Sequence, residues 1–171
     1  DESEGQFTLT KRGSGQLIGW ASLLRGEPCE FVQASTEVYA LSLSSKAFLD
    51  LIQECEVFAN YFYSLANPQE SYLVSVASAE LQPRRITDWR KGLIHQVGKA
   101  KAAALKPGES ITHLPSIPSD WKWVLSTPDI PGVPVGSVLE NDQILPERKG
   151  YKLPYRLLAI PSEINIPKKI E

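Results

Sequence analysis

Residues 15–34 read Gly-Gln-Leu-Ile-Gly-Trp-Ala-Ser-Leu-Leu-Arg-Gly-Glu-Pro-Cys-Glu-Phe-Val-Gln-Ala, and this stretch decides how the first third of the chain is interpreted. It lies between two segments in which apolar and polar side chains alternate with a period of two. The earlier segment contains Phe7 and Leu9, and the later one covers residues 36–43. Because this alternation is typical of half-buried strands, the sequence predicts a strand on each side of the quoted stretch.

Residues 6–66 resemble a cyclic nucleotide-binding domain of the catabolite activator and protein kinase A regulatory subunit type, in a drifted form. The resemblance depends on a frame of small and apolar residues, namely Gly15, Leu17, Gly19, Leu23, Leu24, Gly26, Pro28, Val32 and Ala34. It implies that the stretch is a phosphate-binding cassette, with a short helix between two strands. The implied fold class is α+β, with a partial antiparallel β-roll carrying the cassette helix, followed by helices and a proline-rich β tail.

The two residues that hold the ligand in that family are missing from this sequence. The glutamate that binds the ribose hydroxyl falls on Trp20, and the arginine that pairs with the cyclic phosphate falls on Cys29. A desolvated phosphate needs a guanidinium, and leaving its charge unpaired costs about 2–5 kcal/mol of binding. Arg25 or Lys11 is an alternative cation, and the Trp20 ring is expected to fill the space of the ribose. The resemblance therefore implies a degenerate ligand pocket formed by Gly15, Leu17, Gly19, Trp20, Leu23, Cys29 and Val32.

The composition excludes several classes of protein. The chain has 171 residues, of which 42% are apolar and 22% are charged, and its formal net charge is -2. These values are sufficient for a packed core and give no basic field that would attract nucleic acid or an anionic membrane. The apolar run at 157–160 is far too short to span a bilayer. We therefore expect a soluble segment with no nucleic-acid partner and no direct membrane insertion.

The ends and the cysteines of the sequence add two further expectations. The chain contains no methionine and starts at Asp1, which indicates a piece of a longer polypeptide whose earlier strands lie elsewhere. Cys29 and Cys55 are too few for a disulfide framework, and separated thiols of this kind are typical of a reducing compartment. The expected location of this segment is cytoplasmic, and the inner membrane is a candidate location for its parent protein.

The remainder of the chain divides into helices and a proline-rich tail. Ser44 is the expected N-cap of a helix, a second helix follows through Leu65, and a third runs from Pro68 to Leu81. Thr87 is the expected cap of a fourth, ending near 100, and strands are predicted at 121–126, 132–139 and 155–161. The predicted domains are a β-roll half (1–66), a helical connector (67–104) and a proline-rich β segment (105–171). This last segment either forms a second roll or completes the first.

No catalytic, metal or cofactor site is predicted from the remaining motifs. Cys29 with His95, or Cys55 with His113, would be needed for a thiol nucleophile and its base, but neither cysteine has a sequence context typical of such enzymes. The histidines and cysteines do not have the spacing of a zinc site. The turn at 13–15 lacks the lysine of a nucleoside triphosphate loop.

Three functions are compatible with these observations. The first is a regulatory or interaction domain without catalytic activity, of the kind that the resemblance places ahead of the peptidase, membrane and ATPase segments of some cyanobacterial ABC-type peptide or toxin exporters. Its partners would be neighbouring domains of the parent or a second copy of the chain. The second is a working sensor of cyclic mono- or dinucleotides. The third is a cysteine-dependent enzyme.

Overall fold

The computed structural model describes residues 8–81, 97–148, 150 and 152–162. The helices of this described part are α1 (Trp20–Arg25), α2 (Ser45–Glu54), α3 (Glu56–Ser64) and α4 (Pro68–Glu80), and its strands are β1 (Lys101–Leu105), β2 (Trp121–Leu125) and β3 (Tyr155–Pro161). Single 3-10 turns lie at Val97–Lys99 and Ile111–His113. The chain is therefore a mixed α+β protein with an antiparallel sheet, as the sequence predicts at this coarse level.

Local capping chemistry places two of the helices where they were predicted. The Ser44 hydroxyl accepts a hydrogen bond from the Ala47 N–H at the start of α2. At the start of α4, the side-chain oxygen of Asn67 accepts from the N–H groups of Gln69 and Glu70, and Pro68 occupies the first turn. These side chains satisfy backbone donors that a helix cannot pair internally, which fixes where each helix begins.

Strand β3 is the centre of the sheet, and its neighbours are β1 and β2, both antiparallel to it. Residues 155–159 are all buried because each face of the strand is covered. On one face, Tyr155 and Leu157 pack with residues of the long connections, including Ile111 and Leu145. On the other face, Leu158 packs with Val74 of α4. Successive strand residues point to opposite faces, so the helices cover one side and loops the other.

The helices form their own aromatic core beside the sheet. Its largest buried members are Trp20, Phe48, Phe62 and Tyr63, and Leu153 from the tail is part of the same cluster. The rings of Phe48 and Phe62 meet edge to face, with centroids 5.0 Å apart. Because Leu153 and Ala104 pack here, the three sequence ranges proposed as domains share their cores.

The structure corrects several of the predicted elements. Residues 8–19 and 26–44 contain no strand, so the short helix α1 is not flanked by the strands of a β-roll. Strand β1 begins at Lys101, inside the range predicted as a helical connector. The strand predicted at 132–139 is reduced to two isolated bridges, at Val133 and Val138, because Pro134 lacks an N–H and Gly132 and Gly136 have positive φ. The helix predicted from Thr87 lies outside the described residues, apart from the turn at its end.

Candidate functional site

The residues of the predicted degenerate pocket lie in two different environments. Trp20 is buried in the helical core, and Leu23 and Cys29 pack against the same cluster. Leu17 and Val32, by contrast, each expose about half of their side chains to solvent. Gly15 and Gly19 have φ values of 75° and 81°, which glycine adopts without strain at turns. The structure thus brings Trp20, Leu23 and Cys29 together and leaves Leu17 and Val32 outside.

The Trp20 ring occupies a fully packed position. Its centroid lies 5.6 Å from that of Phe62 in a tilted arrangement. The Cζ atom of Arg156 lies 5.1 Å from the Trp20 ring centroid on another side, a cation–π geometry. Only 6% of Trp20 is exposed. Trp20, which the resemblance aligns with a ribose-binding glutamate, is held here by core contacts.

Cys29 is a half-buried thiol that is hydrogen-bonded to Ser22. Its N–H donates to the Ser22 hydroxyl over 3.1 Å, and the sulfur lies 3.5 Å from the same oxygen. Burial raises the pKa of Cys29 from 9.0 to about 11, an effect that the hydrogen bond from Ser22 only partly opposes. At neutral pH the thiol is therefore protonated and a poor nucleophile.

We expect Cys29 to react with iodoacetamide about 100-fold more slowly at neutral pH than an ordinary thiol, because its pKa is higher by two units (9.0 to about 11). Cys55 is exposed and serves as the internal control. Mass spectrometry of the alkylated chain at pH 7 and at pH 10 measures both rates. If Cys29 were labelled at pH 7 as fast as Cys55 or faster, this assignment would be contradicted. That result would favour the hypothesis of a cysteine-dependent enzyme.

Arg25 does not replace the missing arginine, because its guanidinium is engaged elsewhere. Its Nε donates to the carbonyl of Ser126 over 3.0 Å, and Nη1 donates to the carbonyl of Pro28 over 3.4 Å. Glu27 lies 3.9 Å from Nη1. The side chain is buried with these partners. The interpretation of Arg25 as an alternative phosphate ligand is therefore unsupported by its geometry.

A buried ion pair joins the helices to the sheet beneath Trp20. The Nε of Arg156 on β3 donates to both carboxylate oxygens of Glu70 on α4, over 2.7 and 2.9 Å. Both side chains have no exposed surface. The hydroxyl of Ser126 donates a further bond to Glu70 over 2.7 Å. The buried Glu70 carboxylate therefore has Arg156 as its counter-ion and accepts hydrogen bonds from the side chains of Arg156 and Ser126.

The rest of the Arg156 guanidinium is also satisfied. Nη1 donates to the carbonyl of Tyr63 over 3.3 Å, and Nη2 donates to that of Leu65 over 2.6 Å. These carbonyls lie at the end of α3, where helical C=O groups lack internal partners. One side chain thus fixes the C-terminus of α3, the start of α4 and the middle of the sheet. The complete burial of Glu70 and Arg156 and their bonds within the protein indicate a structural role.

The pairs considered for catalysis are not assembled in the part of the chain that the structure describes. His95 lies outside the described residues, and Cys55 is exposed at the turn between α2 and α3. His113 lies on the 3-10 turn that follows β1. Among the residues described, no three of His, Cys, Asp and Glu group together as metal ligands.

The most exposed apolar surface of the described chain is an irregular stretch that we call the open segment, residues 31–43. It carries large apolar side chains that are half exposed or more, namely Phe31, Val32, Val38, Tyr39, Leu41 and Leu43. Tyr39 is 91% exposed, and Leu41 is entirely so. Several large apolar side chains exposed close together along the chain are typical of a surface that contacts another molecule.

The backbone of the open segment has only side-chain partners in the described structure, such as the Thr36 hydroxyl, which donates to the Glu37 carbonyl over 3.3 Å. Within the described residues, no N–H or C=O group of 32–43 bonds to another backbone group. Its ends are fixed, because the Gln69 side chain donates to the Phe31 carbonyl over 2.6 Å and Ser44 caps α2. The alternating pattern at 36–43 is the sequence signal for this site. The pattern predicts a strand within a roll, whereas the structure leaves residues 36–43 irregular and exposed.

Glu30 anchors the same segment from inside. Its carboxylate accepts a hydrogen bond from the Asn67 side chain, the residue that caps α4. Burial raises the pKa of Glu30, while the Gly19 N–H and the Asn67 amide act in the opposite direction. The open segment therefore leaves the folded body at a fixed point, next to the N-terminus of α4.

Comparison with known proteins gives no relative for this chain: no family model, curated protein or solved structure matches it. Within the described ranges, every helix is too short or too polar to cross a bilayer. Function must therefore be argued from the residues themselves.

Proposed function

We propose that this chain is a non-catalytic regulatory or interaction domain of a larger bacterial protein, with a degenerate cyclic nucleotide site. The observation that carries the proposal is the open segment, which exposes large apolar side chains and, among the described residues, forms no backbone–backbone hydrogen bond over 32–43. Burying one such side chain contributes about 1.5–3 kcal/mol, so a few of them can support a stable contact. A surface of this kind is costly to leave in water and is typical of docking sites.

The existing bonds of two buried arginines, Arg25 and Arg156, support the degenerate site. Arg25 is bound to backbone carbonyls, and Arg156 is paired with Glu70. Recruiting either cation for a phosphate would break buried contacts of the fold. Cyclic nucleotide binding would then have to repay that loss before any net affinity appeared.

The resemblance of residues 6–66 supports a transporter as the parent protein. In exporters of the type named above, such modules precede membrane and ATPase segments, and the partner surface would belong to one of these neighbours. This step is an analogy of family and not of site geometry. Any use of ATP would be an activity of the parent polypeptide.

Photo-crosslinking in the parent protein tests the docking function. A benzophenone amino acid placed at Tyr39 should crosslink to another domain of the parent, or to one associated protein identified by mass spectrometry, in several-fold higher yield than at Glu140. Both positions are exposed in the isolated chain, so accessibility is matched. Equal yields from the two positions would contradict the proposal.

Calorimetric titration tests the degenerate site in the same protein. Cyclic AMP, cyclic GMP and the cyclic dinucleotides should give no binding heat at ligand concentrations that saturate a micromolar site. Binding with a dissociation constant near 1 μM, about -8.2 kcal/mol, would establish the sensor function instead.

A further inference from the structure

Resting on the interaction function proposed above, we propose that residues 36–43 accept a β-strand from a partner polypeptide. That strand would be apolar along the face shared with Tyr39 and Leu41, and would carry Lys or Arg opposite Glu37. The interaction would be strand addition, in which the partner's backbone forms hydrogen bonds with the N–H and C=O groups of residues 36–43.

The sequence of the segment suits a strand. Glu37, Tyr39, Leu41 and Leu43 alternate with smaller residues, and no proline or glycine occurs between Cys29 and Ser64. The Tyr39 hydroxyl donates to the Glu37 carboxylate over 2.7 Å, which places these two side chains on the same side of the backbone. Residues two apart share a face in a strand, so the local geometry already agrees with strand periodicity.

The segment is held ready at both ends. Its first carbonyl is bonded to Gln69, and its last residue is followed by the Ser44 cap of α2. Between these points the described structure offers the backbone no backbone partner. Because the ends are fixed, a partner strand would order only a short length of chain, and the entropy cost of pairing is reduced.

The acidic charge of residues 26–45 favours a basic partner strand. Residues 26–45 include Glu27, Glu30 and Glu37 but no Lys or Arg. Glu30 is bonded to Asn67, so Glu37 is the acidic group displayed on the open part. Opposite charges across a strand pair stabilise it. A second copy of the open segment would bring another Glu37 and no cation, so a basic and apolar strand is favoured over self-pairing.

Adjacent proline variants test the geometry. In strand pairing, neighbouring residues direct their N–H groups to opposite edges, so a proline removes a ladder bond at every second position only. We expect one of the variants Ala40→Pro and Leu41→Pro to weaken partner binding about tenfold, and the other to change it less than about threefold. The Leu41→Ala variant measures separately how much binding is lost with the leucine side chain.

The probe is a short, end-capped peptide of alternating valine and lysine, labelled for fluorescence anisotropy and added to the full chain. Control peptides carry glutamate for every lysine, or N-methyl groups on alternate residues. We expect the first control to bind at least about tenfold more weakly and the second to lose binding. Residue-resolved hydrogen exchange should show protection of every second amide within 36–43.

The outcomes separate this inference from the docking function. Crosslinks from Tyr39 together with equal effects of the two prolines, or with no peptide binding, would overturn strand addition and leave a docking surface of another kind. Absence of crosslinks from Tyr39 would overturn the docking function itself. Self-association of the free chain that Leu41→Pro abolishes would assign the segment to a second copy and contradict the basic partner. Unchanged circular dichroism of both proline variants shows that they remain folded.

Discussion

Glu70→Ala should lower the free energy of unfolding by about 3–5 kcal/mol, because it leaves the guanidinium of Arg156 buried without a counter-ion. Both groups lie entirely inside the protein, and the Nε–H of Arg156 is shared between the two carboxylate oxygens of Glu70. The substitution also removes the acceptor of the Ser126 hydroxyl. Urea denaturation followed by circular dichroism measures the loss, which should appear as a lower midpoint.

Two variants control this prediction. Asp50→Ala breaks the exposed ion pair with Lys46, whose atoms lie 2.6 Å apart, and should cost about 0.3–0.5 kcal/mol. The double variant Glu70→Leu with Arg156→Met removes both charges together and should recover a large part of the loss. A cost below about 1 kcal/mol for Glu70→Ala would mean that water reaches the pair and that it does not join the helices to the sheet.

The parts of the fold that depend on local chemistry were predictable. Ser44 and Asn67 cap α2 and α4 with their own side chains, and each cap concerns residues within one turn. Strand formation is different, since a strand exists only where a partner is available. Residues 36–43 alternate well and yet form no strand in the described structure, whereas the alanine-rich β1 is a strand because β3 pairs with it.

The candidate site was predictable only in part, for the same reason. The sequence identifies Trp20 and Cys29 as unusual residues by their position in the frame of the resemblance. It cannot show that Arg156, separated by 86 positions from Glu70, pairs with it beneath the Trp20 ring. Contacts over such separations follow from the tertiary fold, so the structural use of these arginines could not be inferred from spacing.

The helical core depends on fixed internal contacts, whereas the open segment has to expose apolar side chains. The fold provides both. The start of α4 is fixed from within by the bonds of Glu70 to Arg156, and its cap Asn67 also holds Glu30 at the root of the open segment. A rigid base allows an exposed apolar stretch to be presented without unfolding of the body. The buried charges of Glu70 and Arg156 therefore support the proposed interaction by fixing the start of α4. They do not contact the partner themselves.

Trp20→Ala should lower the free energy of unfolding by about 3–5 kcal/mol, the usual cost of removing a large buried aromatic side chain. The ring contacts both Phe62 and the guanidinium of Arg156, so its loss opens a cavity beside a buried charge. Thermal unfolding followed by circular dichroism measures this effect without depending on tryptophan emission. The exposed Tyr39→Ala is the matched aromatic control and should change stability by less than about 0.5 kcal/mol.

The same variant separates a core residue from the lid of a ligand site. If Trp20 were a lid that closed an otherwise formed pocket, Trp20→Ala would leave stability within about 1 kcal/mol of the original chain and would increase cyclic nucleotide binding in the calorimetric titration. If the ring is part of the core, as its contacts with Phe62 and Arg156 indicate, the variant loses stability and gains no affinity. A stable variant with new affinity for cyclic AMP would therefore overturn the assignment of Trp20 to the core.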